Sequence, residues 1–296
     1  PFLEAGKDVM VEKPLAITVK AGRKMVETAD AHRRTLAVAE NYRRSLGNRA
    51  CKWSIDKGYI GDVQMIFQGG VAAWSKNIIV GGTAWRHMKL KTGAGPVLDN
   101  GVHDVDLFMY LNGEIVEAYG ATKTFDKVKV RRDEKGQIVE QVENTIEDGG
   151  FAILKFANGA VCDWTPAYWG GHGEASNFGR WIYGSRGCIK GEELIPDTGP
   201  RMNVGARFLL EAEPKLRNKN FPKGITDTFA IEIHDFLEAI RRKRKPETDG
   251  WEGLKAEAVC YAVIESSWLN EPVKVKDVLE GRIEEYQREI NENLGL

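Results

Sequence analysis

Two short apolar runs near the start of the chain flank a segment with helical periodicity. Residues 9–11 are apolar throughout, which is typical of a strand buried on both faces of a parallel sheet. Pro14 ends that strand because proline has no backbone N–H. Apolar and charged positions then recur at helical spacing over residues 18–34, and residues 35–40 form a second apolar run. The order strand, helix, strand predicts a βαβ unit whose two strands are parallel.

Polar residues follow both predicted strands at the same edge of the sheet. Lys13 comes directly after the first strand, and Asn41 comes directly after the second. The carboxyl ends of parallel strands are where open α/β sheets bind ligands. Lys13 is therefore a candidate functional residue, although a solvated charge at a strand end explains it equally well from this segment alone.

The pattern changes after residue 60, where predicted strands follow one another with few helices between them. Asn158-Gly159 is a strong hairpin signal between two of these strands. We therefore expect one large, mostly antiparallel sheet. The predicted strands are residues 63–68, 116–124, 150–156, 160–166, 180–183 and 187–190, with a polar hairpin at residues 128–143. The predicted helices are residues 50–59, 227–243, 251–269 and 276–294.

Composition and charge narrow the class of protein. The chain has 296 residues, of which 42% are hydrophobic, and this is enough for a substantial core in one large or two ordinary domains. The 42 Lys and Arg residues nearly balance the 43 Asp and Glu residues, so nucleic acid and anionic membranes are not expected partners. No apolar run is long enough to span a bilayer, no signal peptide opens the chain, and the four cysteines are scattered. These features favour a cytoplasmic protein with reduced thiols.

One basic segment departs from this balance. Residues 241–245 read Arg-Arg-Lys-Arg-Lys, which is also the composition of a nucleic-acid patch. The same residues end a predicted helix just before Pro246, where cations stabilise the helix dipole. We favour the second interpretation.

A second group of polar residues follows a glycine-rich turn at residues 93–95. The segment from Leu98 onward has helical spacing, and Asp99 and His103 are four residues apart, so on a helix they share one face. A carboxylate beside an imidazole fixes its tautomer and raises its basicity, which suits general-base catalysis. The spacing leaves two alternatives open: Asp99 as a helix cap beside a structural His103, and a metal site that also includes Asp106.

In combination, the two motifs resemble the glucose–fructose oxidoreductase, inositol dehydrogenase and MocA-like (Gfo/Idh/MocA) oxidoreductase family. The resemblance rests on Glu12-Lys13-Pro14 after the first strand and on Asp99-x-x-x-His103 after the glycine turn. Secondary matches span the chain and include residues 5–7, 60–61, 85–86, 183–187 and 265–267.

The resemblance implies an α/β fold with two domains. Residues 1–47 would be the C-terminal part of a Rossmann dinucleotide-binding domain, and residues 48–296 an α+β domain with a large, mostly antiparallel open sheet. The sequence departs from the family because it has neither a glycine-rich GxGxxG turn nor the ribose-binding acid. We therefore expect the first half of the nucleotide-binding domain on a separate chain or in a longer polypeptide. We expect this chain alone to bind NAD weakly and to need that half for activity.

The resemblance also implies a site between the two domains, against the nicotinamide of NAD or NADP. Lys13 would hydrogen-bond the reacting sugar oxygen, and His103 would remove the hydroxyl proton while Asp99 holds the imidazole. No resident metal is expected. The expected cofactor contacts are Glu12, Lys13, Pro14, Asn41, Trp85 and Arg86. The expected substrate contacts are Asn100, Tyr168 and His172.

The expected function is NAD(P)-dependent hydride transfer at a secondary hydroxyl of a sugar, polyol or glycoside. Tyr168 and His172 follow a predicted strand beside two glycines, where an aromatic ring can stack on a sugar. Two other functions remain open: glycoside cleavage by oxidation and elimination, with His172 as a second acid or base, and a non-catalytic NAD-binding sensor. We also expect a homo-oligomer that forms through the open sheet.

Overall fold

The computed structural model describes residues 1–71, 78–167 and 176–296, the side chains of residues 176–178 excepted. Two main sheets organise these residues: a two-stranded parallel sheet near the start and a nine-stranded sheet that follows it. No helix in these parts of the chain has the length and apolar character needed to cross a bilayer.

The first sheet belongs to a βαβ unit. Strands β1 (Val9–Glu12) and β2 (Leu36–Ala39) are parallel and are joined by helix α1 (Val19–Ala31). The hydroxyl of Thr18 caps α1 by accepting a hydrogen bond from the amide of Ala21 at 3.2 Å. The predicted βαβ unit is therefore confirmed, and its strands place Lys13 and residues 40–41 at the same edge.

Helix α2 (Leu46–Asp56) begins four residues before the predicted start at residue 50. The reason is Ser45, whose hydroxyl accepts a hydrogen bond from the amide of Asn48 at 3.3 Å and so caps an earlier first turn.

The elements that follow are β3 (Val63–Val71), α3 (Lys89–Thr92), α4 (Gly101–Asn112), β4 (Ile115–Lys123), β5 (Val128–Arg132), β6 (Ile138–Glu143), β7 (Gly149–Phe156), β8 (Val161–Thr165), β9 (Ser176–Gly184), β10 (Gly187–Lys190), β11 (Glu193–Pro196) and β12 (Met202–Asn203). The last third of the chain contributes α5 (Val204–Glu211), α6 (Pro214–Asn220), α7 (Thr228–Arg242), α8 (Gly250–Leu269), β13 (Val273–Lys274), α9 (Val275–Leu279) and α10 (Arg288–Leu294).

The large sheet has the strand order β12-β11-β10-β9-β3-β8-β7-β4-β13 in the described part of the chain. Its neighbouring strands are antiparallel except β3 and β8, which are parallel. The polar segment that precedes β7 forms the separate hairpin β5–β6. The predictions of a mostly antiparallel sheet and of a polar hairpin are both confirmed.

Helix α8 connects the two sheets because it packs against α1 on one side and against α4 and β4 on the other. Its residues from Ala256 to Ser266 are buried on every side, as expected for a helix that lies inside the protein rather than on its surface. The hydroxyl of Tyr261 donates to the main-chain oxygen of Ile17 at 2.5 Å. This bond ties the α8 core to the loop that follows β1.

The opposite face of the large sheet carries exposed apolar side chains. Residues alternate along β7, where Ala152 and Leu154 point into the core and Phe151 and Ile153 point outward. Phe151 is 65% exposed. Other apolar residues exposed on strands of this sheet are Met65, Val116, Tyr119 and Tyr183. The alternation predicts a half-buried sheet, and its outer face is apolar enough to suit association.

The prediction of one charged helix over residues 276–294 is wrong. The chain forms the short helices α9 and α10 with a non-helical connection between them. Gly281 adopts a positive φ of 75° next to the end of α9, a conformation that ends a helix. The connection continues to Tyr286 and Gln287. The backbone amide of Tyr286 and the side-chain amide of Gln287 both donate hydrogen bonds to the carboxylate of Glu265 on α8.

The basic residues at the end of α7 are paired with nearby acids. Arg241 and Arg242 both contact Glu238, at 2.7 and 2.6 Å. Downstream of the helix, Arg244 contacts Asp235 at 2.7 Å and Lys245 contacts Asp249 at 3.3 Å. These pairs agree with the interpretation of the segment as a helix end.

Candidate active site

Lys13 and Asp99 meet at the carboxyl edge of the parallel sheet. The Lys13 ammonium lies 2.5 Å from the main-chain oxygen of Asp99 and 3.1 Å from its Oδ1. The two side chains are mostly buried, at 17% and 14% exposure. An ammonium group has three donors; two of them contact Asp99, and the third has no acceptor among the described residues.

The turn that carries Asp99 is held by a buried carboxylate. Glu147 accepts hydrogen bonds from the amides of Gly95 and Val97 at 2.9 and 3.1 Å. A Cβ on Gly95 would lie 1.9 Å from the main-chain oxygen of Glu147, so only glycine fits at this close approach. Burial raises the pKa of Glu147 to about 7, against the lowering effect of the two amides.

A second cation shares the carboxylate of Asp99. Arg86 Nη1 lies 2.5 Å from Asp99 Oδ2, while Lys13 holds Oδ1. Trp85 is 46% exposed, and its ring centroid lies 5.4 Å from the guanidinium carbon of Arg86. Of the expected cofactor contacts, Lys13 and Arg86 are therefore brought together by one carboxylate, with Trp85 beside them.

The carboxylate that contacts His103 is Glu40, and this corrects the expectation that Asp99 holds the imidazole. His103 Nδ1 lies 2.6 Å from Oε1 and 2.8 Å from Oε2 of Glu40. The spacing argument fails because helix α4 begins only at Gly101, so Asp99 lies in the preceding turn and not on the helix face of His103. There it contacts Lys13 and Arg86 instead.

Tyr42 covers one face of the imidazole. Its ring is parallel to that of His103, with 4.0 Å between the ring centroids and 5° between the planes. The amide of Tyr42 also donates to Glu40 Oε1 at 3.0 Å. Burial, together with the charges of Asp104 and Glu40, raises the pKa of the Tyr42 hydroxyl, so the phenol stays protonated at neutral pH.

The acids that follow His103 on α4 have other partners. Asp106 accepts two hydrogen bonds from the guanidinium of Arg43, at 2.5 and 2.8 Å, and both side chains are buried. Asp104 accepts from the indole N–H of Trp164 at 3.1 Å, and burial raises the pKa of Asp104 to about 6. Asp99, His103 and Asp106 thus contact different partners: Asp99 contacts Lys13 and Arg86, His103 contacts Glu40, and Asp106 contacts Arg43.

The remaining predicted contacts of the cofactor surround the strand ends. Glu12 is exposed at the end of β1, and the peptide bond between Lys13 and Pro14 is cis. Asn41 follows β2 and donates from its side-chain amide to the hydroxyl of Thr228 at 3.3 Å. Of the predicted substrate contacts, Asn100 is exposed at the start of α4. Tyr168 and His172 lie outside the described residues.

Sequence reasoning missed Glu40 and Tyr42. Glu40 is 3% exposed and lies 63 positions from His103, so no local pattern joins the two residues. The available signal was topological, because Glu40 ends the second parallel strand at the same edge as Lys13. Trp164, by contrast, is completely buried between the sheet and α4 and is a packing residue.

Comparison with known proteins decides the family. The profile of the oxidoreductase family C-terminal alpha/beta domain (GFO_IDH_MocA_C) matches residues 52–275, and the NAD-binding Rossmann fold of the same family matches residues 1–40. The chain belongs to the Gfo/Idh/MocA oxidoreductase family. This confirms the resemblance and the fold class, while the domain boundary at residues 47 and 48 stays a prediction.

Several similar proteins are named as enzymes that act on sugar derivatives. Levoglucosan dehydrogenase of Pseudarthrobacter phenanthrenivorans is 26% identical over an alignment of 295 positions that covers 91% of this chain and 75% of that protein. The 1,5-anhydro-D-fructose reductase of Ensifer adhaerens is 24% identical and aligns over 93% of this chain and 74% of its own length.

Solved structures share the fold. Levoglucosan dehydrogenase in complex with NADH and L-sorbose superposes with a TM-score of 0.72 at 25% identity, and the match covers 92% of this chain and 74% of that one. An oxidoreductase domain protein from Kribbella flavida has a TM-score of 0.75 at 24% identity, covers 92% of this chain and 76% of that chain, and shows the fold alone.

NAD(P) is the cofactor that this family uses, and the polar groups at the strand ends suit its nicotinamide end. Glu232 on α7 is 4% exposed, and its Oε2 has no hydrogen-bond partner among the described residues. Burial raises the pKa of Glu232 to about 7, with Glu12 and Glu40 adding to the effect. This unpartnered oxygen lies on α7, the helix that packs against β2.

Proposed function

We propose that the chain carries the catalytic groups of an NAD(P)-dependent oxidoreductase that acts on a secondary hydroxyl of a sugar, polyol or glycoside. The observation that supports it most is that two candidate catalytic side chains are each held by an acid at one edge of the sheet. Asp99 holds Lys13, and Glu40 holds His103. The names of the similar dehydrogenases point to the same substrate class.

Lys13 would stabilise the reacting oxygen. Two of its three N–H donors contact Asp99, so the third can bond the substrate hydroxyl and the ketone oxygen that replaces it. A fixed ammonium favours the oxygen most strongly while it carries partial negative charge in the transition state. Asp99 holds Lys13 in place by contacts from both its main chain and its side chain.

His103 would accept the proton. Its Nδ1 is used by Glu40, so Nε2 is the nitrogen that can take the hydroxyl proton as the carbinol carbon is oxidised. When bound, the nicotinamide supplies the acceptor for the hydride that leaves this carbon. One proton and one hydride leave the alcohol, and a ketone remains.

The residues expected to contact the cofactor have separate places in this proposal. Glu12, Pro14 and Asn41 would border the nicotinamide, because they lie at or just after the carboxyl ends of the two parallel strands. Trp85 and Arg86 would line the pocket beyond it, and Asn100 would meet the substrate. Glycoside cleavage needs His172 as a second acid or base and gains no support from the described residues.

A second copy of the chain is the proposed occupant of the open sheet face. Phe151, Ile153 and Tyr119 are 65%, 44% and 43% exposed on adjacent strands β7 and β4. Apolar side chains in such a row are stabilised when another surface excludes water from them. In a symmetric homo-oligomer, a two-fold axis would bring this same face of both copies together.

Turnover with a panel of sugars tests the proposed function. The native protein, purified together with any chain that carries the first half of the nucleotide-binding domain, is mixed with NAD or NADP and with levoglucosan, myo-inositol or a methyl glucoside, and the absorbance of the reduced nicotinamide is followed. We expect ketone formation with at least one sugar, and His103→Ala should reduce turnover by about 10²-fold or more. His32→Ala is the matched control, because His32 is exposed at the end of α1. Full turnover in His103→Ala would exclude the proposed role.

A further inference from the structure

We infer that Glu40 is the positioning residue of His103, and that Asp99 serves Lys13 instead. The inference rests on the proposed function, because it assigns the roles of two acids within the same site. It goes beyond the sequence motif, which contains Asp99 and His103 but not Glu40.

The contact between Glu40 and His103 selects one tautomer of the imidazole. Both carboxylate oxygens face Nδ1, at 2.6 and 2.8 Å. A carboxylate only accepts hydrogen bonds, so the proton of the neutral ring lies on Nδ1 and the lone pair lies on Nε2. Nε2 makes no hydrogen bond within the parts of the chain that the structure describes. It is therefore the nitrogen that is open to a substrate hydroxyl.

The surroundings of Glu40 fix its carboxylate. Glu40 is 3% exposed, and one of its oxygens also accepts the amide of Tyr42 at 3.0 Å. The ring of Tyr42 in turn lies flat on the imidazole at 4.0 Å. Residues 40–42 thus hold His103 in two ways. Glu40 contacts Nδ1, and the ring of Tyr42 covers one face of the imidazole. This leaves the imidazole little freedom to rotate between turnovers.

The other acids near His103 are engaged elsewhere. Asp99 gives Oδ1 to Lys13 and Oδ2 to Arg86. Asp104 accepts from Trp164, and Asp106 is paired with Arg43. Each of these carboxylates accepts hydrogen bonds from other residues. Glu40 is the acid that contacts Nδ1 of His103.

Nitrogen NMR of the full chain labelled with ¹⁵N-histidine tests the inference without any need for turnover. The shifts of Nδ1 and Nε2 report which nitrogen carries the proton, and His103→Asn assigns the signals. We expect wild type and Asp99→Asn to show the Nδ1–H tautomer of His103, and Glu40→Ala to show a mixture of both tautomers. An unchanged tautomer in Glu40→Ala, or a mixture in Asp99→Asn, would overturn the inference.

Glu40→Gln is the second variant, because it keeps the volume and an acceptor oxygen but removes the charge. With the best sugar of the panel we expect kcat to fall about tenfold or more, while KM for the nicotinamide cofactor stays unchanged. Glu134→Gln at the exposed tip of the β5–β6 hairpin is the control. Wild-type kcat in Glu40→Gln defeats the inference and leaves the proposed function intact. If the wild type oxidises none of the sugars, the proposed function is wrong. The NMR result would still decide which tautomer His103 adopts.

Discussion

Lys13 Nζ lies 2.5 Å from the main-chain oxygen of Asp99 and 3.1 Å from its side chain, although the two residues are 86 positions apart. The contact joins the end of strand β1 to the turn before helix α4. It makes the position of the lysine depend on that turn, and in the proposed function it holds the cation for the reacting oxygen.

Asp99→Asn should lower kcat more than it raises KM for the sugar. The amide removes the charge that holds Lys13 and Arg86, while the main-chain oxygen remains as one anchor. Loose positioning of Lys13 should cost about tenfold to hundredfold in kcat. Steady-state kinetics on the best sugar of the panel measure the effect, and exposed Asp197→Asn is the control. An Asp99→Asn enzyme with wild-type kcat would show that Lys13 needs no side-chain anchor.

Asp106→Asn should destabilise the fold. The carboxylate accepts two hydrogen bonds from Arg43, and both groups are buried, so the variant leaves an arginine charge without its partner. The expected loss in the free energy of unfolding is about 3 kcal/mol or more, measured by urea denaturation. Glu140→Gln is the matched control, because it breaks an exposed ion pair with Arg131 and should cost less than about 1 kcal/mol. Equal losses in the two variants would contradict the burial argument.

Glu147 should make stability fall as the pH rises towards neutral. Its pKa is raised from 4.5 to about 7 in the folded chain because burial disfavours the carboxylate. The stabilisation that comes from the protonated form is complete below about pH 4.5 and is lost as the pH passes through about 7. Glu147→Gln lacks this titration. Relative to that variant, the wild type should lose on the order of 3 kcal/mol over this interval.

Urea denaturation at a series of pH values measures both proteins. Exposed Glu134→Gln is again the control and should leave the wild-type pH dependence unchanged. Parallel stability curves for wild type and Glu147→Gln would mean that Glu147 does not titrate differently in the folded and unfolded chains.

Phe151→Glu should dissociate the proposed oligomer. The side chain is 65% exposed on the open face of β7, where a charge cannot be buried against a second copy without a large desolvation cost. Light scattering after size-exclusion chromatography should show an oligomer for the wild type and a monomer for the variant. Leu210→Glu is the control, since Leu210 is 84% exposed and belongs to helix α5 rather than to a strand of the sheet. A monomeric wild type, or an oligomeric Phe151→Glu, would contradict the proposal.

Local patterns predicted the βαβ unit and most strands because their residues are buried in regular alternation or in continuous apolar runs. The same patterns could not predict the partner of His103. Spacing between Asp99 and His103 indicates a contact only if both lie on one helix, and the chain enters α4 two residues after Asp99. The actual partner, Glu40, comes from another part of the chain and is brought in because the turn that follows β2 (Tyr42–Arg44) packs against α4.

The terminal segment shows a second limit. Charged residues at helical spacing predicted a helix over residues 276–294, but Gly281 ends α9 and the connection bonds to Glu265 of α8. The contact with Glu265 thus overrides the helical preference of residues 276–294, since few buried side chains support that helix.

Direct transfer of deuterium is the sharpest test of the central claim. A sugar from the panel that carries deuterium on the reacting carbinol carbon is incubated with NAD and the native protein, purified together with any chain that carries the first half of the nucleotide-binding domain, and the nicotinamide product is analysed by mass spectrometry. The account predicts that deuterium appears on the reduced nicotinamide with the wild type, and that it appears about 10²-fold or more slowly with His103→Ala. No deuterium on the nicotinamide with the wild type, or an undiminished rate with His103→Ala, would contradict it.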